Sequence, residues 1–190
     1  MNFKPLLISA TLVAVAFGTT NLLAADFSID PLHSFVQFKI QHLGYSWLYG
    51  RFDGVTGHIK YDLATPAASS IEINVDTKTV NTNWPARDKH LRSADFFDVE
   101  KFGVATFKST SFKGDANGGR VAGVLSFHGV EKPIEVAITK IGEGKDPWGG
   151  YRAGFQGTYV MTRKDFGVNY DLGPASTTVE LEIGLEGVRK

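Results

Sequence analysis

The run Arg87-Asp88-Lys89-His90-Leu91-Arg92-Ser93-Ala94-Asp95 packs a base, two acids, cations and a hydroxyl together, the densest set of reactive side chains in the sequence. Acyl-transfer hydrolysis needs a nucleophile, a base and an orienting acid in hydrogen-bond contact. His90 as general base, Asp88 or Asp95 as its orienter and a nearby Ser as nucleophile would supply them. The spacing argues against this chemistry: on a helix Asp88 and Ser93 stand two and three positions from His90, so of these only Ser93 is even a neighbour. No Gly-x-Ser-x-Gly elbow occurs either. A second chemistry is anion capture, by N–H groups at a helix start near Asn83–Arg87 backed by Arg87 and by Lys89 or Arg92. The third reading is a solvated helix held by ion pairs, with no chemistry at all.

Metal chemistry finds little support. The His residues are at 33, 42, 58, 90 and 128, so no two have the i, i+4 spacing that puts a ligand pair on one helix face. With no Cys, thiolate metal sites, iron–sulfur clusters, disulfides and thiol nucleophiles are excluded. His58 alternates with Lys60 on a polar face and reads as a surface residue. His42 continues the apolar face of Val36, Phe38 and Ile40 and reads as a core histidine with one hydrogen-bond partner.

The segment carrying His90 is the one place that breaks a strand rhythm. Asn83 is placed to cap, Pro85 sits in a first turn where its missing N–H costs nothing, and Asp88 is spaced to pair with Arg92. These signals predict a short helix over about 85–97 with an apolar stripe of Leu91, Ala94 and Phe97. Elsewhere side chains alternate with period two: Val36-Phe38-Ile40-His42, Val55-Gly57-Ile59-Tyr61, Ile71-Ile73-Val75, Ala105-Phe107, Val121-Gly123-Leu125-Phe127, Ile134-Val136-Ile138, Tyr151-Ala153-Phe155 and Val179-Leu181-Ile183-Leu185. Turn residues such as Asp115-Ala116-Asn117-Gly118-Gly119 and His128-Gly129 join several of them by short links, which implies antiparallel neighbours. Eight such strands form an all-β domain, either a sandwich or a barrel. Glycines inside the patterns (Gly57, Gly123, Gly154, Gly157) are the bends that closure requires and favour the barrel. An eight-stranded barrel is wide enough to fill itself or to hold one small ligand.

The first 25 residues are a different composition: one charge at Lys4, an apolar run Pro5–Phe17, a polar stretch, then Ala24-Ala25 before Asp26. This reads as a secretory signal peptide cleaved after Ala24 or Ala25, too short to span a bilayer. The 165 residues left when 25 are taken from 190 form one domain, 26–190, with a net charge of −1, since Lys4 is the only charge removed from a balance of 20 against 20. Near-neutral charge without a basic run excludes nucleic acid as a favoured partner.

Four stretches carry a resemblance: His42–Phe52 (HLGYSWLYGRF), Arg87–Asp98 (RDKHLRSADFFD), Asp146–Phe155 (DPWGGYRAGF) and Asp171–Ser176 (DLGPAS). In this order, along the mature chain and behind a leader, they resemble the bacterial YceI family. That resemblance implies an extended eight-stranded antiparallel barrel of lipocalin-like shape, a periplasmic location, and a polyisoprenoid or other long amphiphile held in the interior, with no cofactor. It also implies a link to stress and a homodimer, and it transfers no catalytic residue. The side chains expected to sheath the tail are Val36, Phe38, Ile40, His42, Phe107, Leu125, Phe127, Val136 and Phe155. Trp84, Arg87, His90, Leu91 and Arg92 are expected at the mouth, with the cations meeting a pyrophosphate or amide head. Two departures from the family pattern are Glu131 before Lys132-Pro133, where a Thr is usual, and Trp84, where relatives carry a small or polar residue. Two other functions stay open: a secreted hydrolase using His90, and a packed interaction module whose interior holds nothing.

Overall fold

The computed structural model describes residues 24–62 and 64–190, so the leader expected over 1–25 lies, up to its last two residues, outside the described residues. Nine strands are described: β1 (Ala25–Ile29), β2 (Phe35–His42), β3 (Ser46–Tyr61), β4 (Ser70–Asn81), β5 (Val104–Asp115), β6 (Gly118–Phe127), β7 (Val130–Lys145), β8 (Tyr151–Thr162) and β9 (Thr178–Arg189). One helix, α1 (Pro85–Arg92), lies between β4 and β5. Hydrogen-bonded neighbours run β3-β2-β9-β8-β7-β6-β5-β4, all antiparallel, and β4 returns to β3 through pairs such as Val55↔Val75. That last pairing closes a barrel of eight positions and decides against a sandwich, because no sheet edge is left over.

Nine strands fill eight positions because β1 and β2 share one. Both run antiparallel to the same two neighbours, β1 against the ends of β3 and β9 (Ala25↔Tyr61, Phe27↔Arg189) and β2 against earlier parts of them (Val36↔Phe52, Phe35↔Gly184). Pro31 cannot donate to a ladder, and Asp30 folds its carboxylate onto the N–H of Leu32, so the strand breaks there. Ser34 rejoins it by accepting the N–H of Glu186 on β9.

Alternate side chains point inward, and Phe27, Val36, Phe38, Phe52, Val55, Ile59, Ile73, Val121, Phe127, Val136 and Leu185 are all buried. Glycines and bulges bend the strands to close the cylinder. At Gly57 (φ +148°) a Cβ would lie 2.0 Å from the carbonyl oxygen of Glu72, so β3 and β4 approach as only glycine permits. The β6–β7 hairpin turns on His128 and Gly129 alone, both at positive φ (51° and 76°), the backbone of a two-residue primed turn.

The helix differs from the sequence expectation in length and in its contacts. It ends at Arg92, where Ser93 donates its hydroxyl to the carbonyl of His90, and the N–H of Phe97 reaches back to the carbonyl of Leu91. The chain beyond the helix packs both Phe96 and Phe97 on the core. Ala94, expected on the apolar stripe, is exposed in consequence. Asn83 does not cap; Trp84 occupies that position with no side-chain cap bond. Asp88 does not pair with Arg92 but is buried and accepts the N–H and hydroxyl of Thr82, while Arg92 donates to the carbonyl of Val80.

Candidate functional site

The inner faces of the strands enclose a cavity of about 170 Å³, lined overwhelmingly by apolar side chains. That is room for on the order of ten water-sized groups. A row of aromatic rings crosses the helix end of the barrel: Phe38 to Phe52 at 5.7 Å between centroids, Phe52 to Phe97 at 5.5 Å, Phe97 to Phe127 at 5.9 Å and Phe127 to Phe166 at 5.9 Å. These separations are those of tilted and edge-on ring contacts, and the row plugs that end. The three charged residues in the lining, Lys60, Asp115 and Lys140, all stand at the opposite end, where the lining also passes onto exposed Ser70 and Ala116. The cavity therefore has a greasy blind end under the helix and a polar mouth beside the β5–β6 turn.

At that mouth a bulge places two opposite charges on one face. β7 carries Ile134, Val136, Ile138 and Lys140 inward in strict alternation, with Lys140 opposite Phe155 of β8. The register then shifts between Lys140 and Gly142, Ile141 is pushed out to 67% exposure, and Glu143 comes to lie opposite the buried Ala153. Three residues apart, Lys140 and Glu143 meet on the inner face with Nζ and Oε2 3.1 Å apart. Lys140 also donates to the hydroxyl of Tyr61 at 3.4 Å and lies 4.9 Å from the centre of its ring, and Tyr61 donates in turn to the carbonyl of Ala116 at 3.3 Å. Burial works against the ammonium, whose side chain is 13% exposed, but the bonds to Glu143 and Tyr61 outweigh it and hold its pKa above the ordinary value.

Of the residues expected to touch a tail, Val36, Phe107, Leu125, Phe127, Val136 and Phe155 line the cavity. Phe38 and Ile40 lie in the core around the ring row rather than on the cavity wall. His42 is a correction: it is exposed at the end of β2, where the strand runs out into the hairpin beyond the packed interior. The expected mouth is a second correction. Trp84, Arg87, His90, Leu91 and Arg92 are at the plugged end and none lines the cavity. Trp84 is 58% exposed and stacks on Arg87, whose guanidinium donates to the hydroxyl and carbonyl of Thr82. Leu91 packs on the core and Arg92 is spent on Val80. An anion at this helix start would meet the Asp88 carboxylate.

Among the described residues, His90 has one acid and no nucleophile beside it. Its Nε2 is 3.0 Å from Asp95, its ring stands edge-on to Phe96 and Tyr170, and the hydroxyl of Ser93 is turned to the backbone carbonyl of His90 instead of the imidazole. Another polar cluster straddles the break between β1 and β2, where Arg152 of β8 binds Asp30, Asp146 and Glu186. Asp30, His33 and Glu186 are close enough together to hold a cation, but the guanidinium already supplies their positive charge.

Lys140 and Glu143 went unmarked in the sequence, and Tyr61 was marked only as the end of the Val55-Gly57-Ile59 strand face. Lys140 follows Ile134-Val136-Ile138 at the next inward position, a signal present in the pattern. Glu143 left none, because its inward position exists only through the bulge.

A YceI-like domain model matches residues 27–187. A UPF0312 protein of Ectopseudomonas mendocina is 49% identical over 191 residues, covering 97% of this chain and 100% of that protein. One from Azotobacter vinelandii is 50% identical over 192 residues, again covering 97% of this chain and all of its own length. Among solved structures, the Campylobacter jejuni YCEI protein superposes with a TM-score of 0.70 at 26% identity, covering 95% of this chain and 99% of that one. A polyisoprenoid binding domain from Saccharophagus degradans superposes with a TM-score of 0.66 at 20% identity, covering 88% of this chain and 99% of its own, a likeness of fold.

Proposed function

The chain belongs to the YceI-like family, and on that premise we propose that it is an exported, periplasmic binding or carrier protein that holds a polyisoprenoid or another long amphiphile inside its barrel. The observation that carries this reading is the cavity, apolar along its length, plugged by rings at one end and polar at the other. Each CH₂-sized group moved from water into such a sheath contributes about 0.8 kcal/mol without directional bonds. The polyisoprenoid named for the Saccharophagus domain of the same fold agrees with a ligand of this shape. The surroundings of His90, with an acid but no hydroxyl on the imidazole, favour binding over hydrolysis.

Mass spectrometry of an organic extract of the purified protein tests the reading. A stoichiometric long-chain lipid is the expected result. A lipid-free extract, together with failure of the stripped protein to take up an apolar fluorescent dye, would overturn it.

A further inference from the structure

Resting on that reading, we propose that Lys140, Glu143 and Tyr61 form the head-group anchor of the bound lipid, and that the head they accept is an uncharged hydrogen-bond acceptor, a hydroxyl or carbonyl, in preference to a phosphate or carboxylate.

The Lys140–Glu143 pair stands at the mouth of a largely apolar cavity, with Lys140 in the lining and its side chain 13% exposed, and taking such a charge out of water costs desolvation that pairing recovers only with excellent geometry. The pair therefore calls for a role other than holding the fold. Its position supplies one. Lys140 is the innermost charge of the lining, at the end of the cavity opposite the ring row, so a tail lying against Phe52 and Phe127 puts its head here. The ammonium has three donors. One meets Glu143, a second meets Tyr61 at a long 3.4 Å, and the third has no protein acceptor among the described residues. The Tyr61 hydroxyl, bound loosely to Ala116 at 3.3 Å, offers a second polar contact a small head could take over.

Charge selects the class of head. Glu143 already neutralises Lys140 and Asp115 balances Lys60 among the charges of the mouth, so the pocket has no surplus positive charge to repay the desolvation of an anion. A phosphate brought to the third donor would lie beside the Glu143 carboxylate, and the two like charges would repel. A hydroxyl or carbonyl takes the spare N–H and disturbs nothing. The head thus sits at the end of the barrel away from Arg87, His90 and Arg92.

The test uses three probes with one tail: farnesol, farnesyl diphosphate and the hydrocarbon farnesene, each displacing N-phenyl-1-naphthylamine from the lipid-stripped protein. The expected order is farnesol tightest. Lys140→Met should weaken farnesol on the order of tenfold, the worth of a hydrogen bond to a charged donor, and leave farnesene unchanged. Glu143→Gln should strengthen the diphosphate on the order of tenfold by unmasking the ammonium. Circular dichroism checks each fold, and if Lys140→Met does not fold, Tyr61→Phe replaces it, with a smaller loss for farnesol alone. Equal binding of the three probes, farnesol affinity indifferent to these substitutions, or the diphosphate bound tightest by the wild type would each overturn the anchor while the carrier reading stood. Failure of every probe and of the dye to enter would instead sink the carrier reading itself.

Discussion

Arg152 on β8 donates to Asp30 at 2.7 Å across the break that separates β1 from β2. The guanidinium also binds Glu186 and Asp146, so one side chain fastens the two halves of the interrupted strand to β9 and to the β7–β8 turn. Its hydrogen bond, helped by His33, lowers the Asp30 pKa from 3.8 to about 2. A lowered carboxylate pKa stabilises the folded chain above the unfolded value and loses that contribution as pH falls through the folded one. Denaturant midpoints of wild type and Asp30→Asn should therefore differ at neutral pH, with the variant weaker, and converge between about pH 4 and pH 2. A gap that is the same at pH 6 and pH 2 would refute the assignment.

The interior should tolerate shape but not polarity. Val136 is buried and lines the cavity, and Val136→Thr exchanges a methyl for a hydroxyl of the same size with no partner in an apolar wall. The barrel should lose about 1–3 kcal/mol, read by thermal or urea unfolding. Dye affinity should fall as well, because a ligand must strip water from the new hydroxyl. Unchanged dye affinity would place the ligand elsewhere.

Phe127 links the plug to the cavity, in contact with Phe97 and Phe166 on one side and lining the cavity on the other. Phe127→Ala should cost about 3–5 kcal/mol. It should also extend the blind end, so that in a series of straight-chain alcohols the best-bound length moves upward. A length optimum that stays put would mean the rings do not stop the tail.

His90→Ala should leave dye and farnesol binding at the wild-type level, since the imidazole is half-exposed at the plugged end. The lost exposed pair with Asp95 is worth at most about 1 kcal/mol. Turnover on ester and peptide substrates should be absent from both proteins. Wild-type turnover that disappears with His90→Ala would establish the hydrolase instead.

How much of this was legible in the sequence varies by element. The alternation of Val121-Gly123-Leu125-Phe127 and Ile134-Val136-Ile138 marks the wall because a strand's period of two converts directly into inside and outside. β1 escaped because five residues abutting an apolar leader offer too short a pattern, and its partner residues lie thirty or more positions away. The helix was placed but drawn too long, since a helical stripe through Leu91 and Phe97 looks the same as a chain that leaves the helix at Ser93 to bury Phe96. The polar end of the cavity was not legible for a related reason: reactive residues cluster in sequence at Arg87–Asp95, whereas Tyr61, Lys140 and Glu143 are brought together only by barrel closure and one bulge. Local periodicity sees the wall of a barrel, and it does not see which end of the wall is open.

The seam between β1 and β9 has a mechanical consequence. Phe27 lies opposite Arg189, and Lys190 donates to the carbonyl of Asp26, so the chain enters and leaves the barrel side by side at one end. A machine pulling on the C-terminus, such as a processive protease, would not load the bonds of β9 together. It would load them one after another from the β1–β9 seam, as a zip opens from its tab. The Arg152 clasp, which holds Glu186 of β9 and Asp30 beside the end of β1, stands across the line along which those two strands would part.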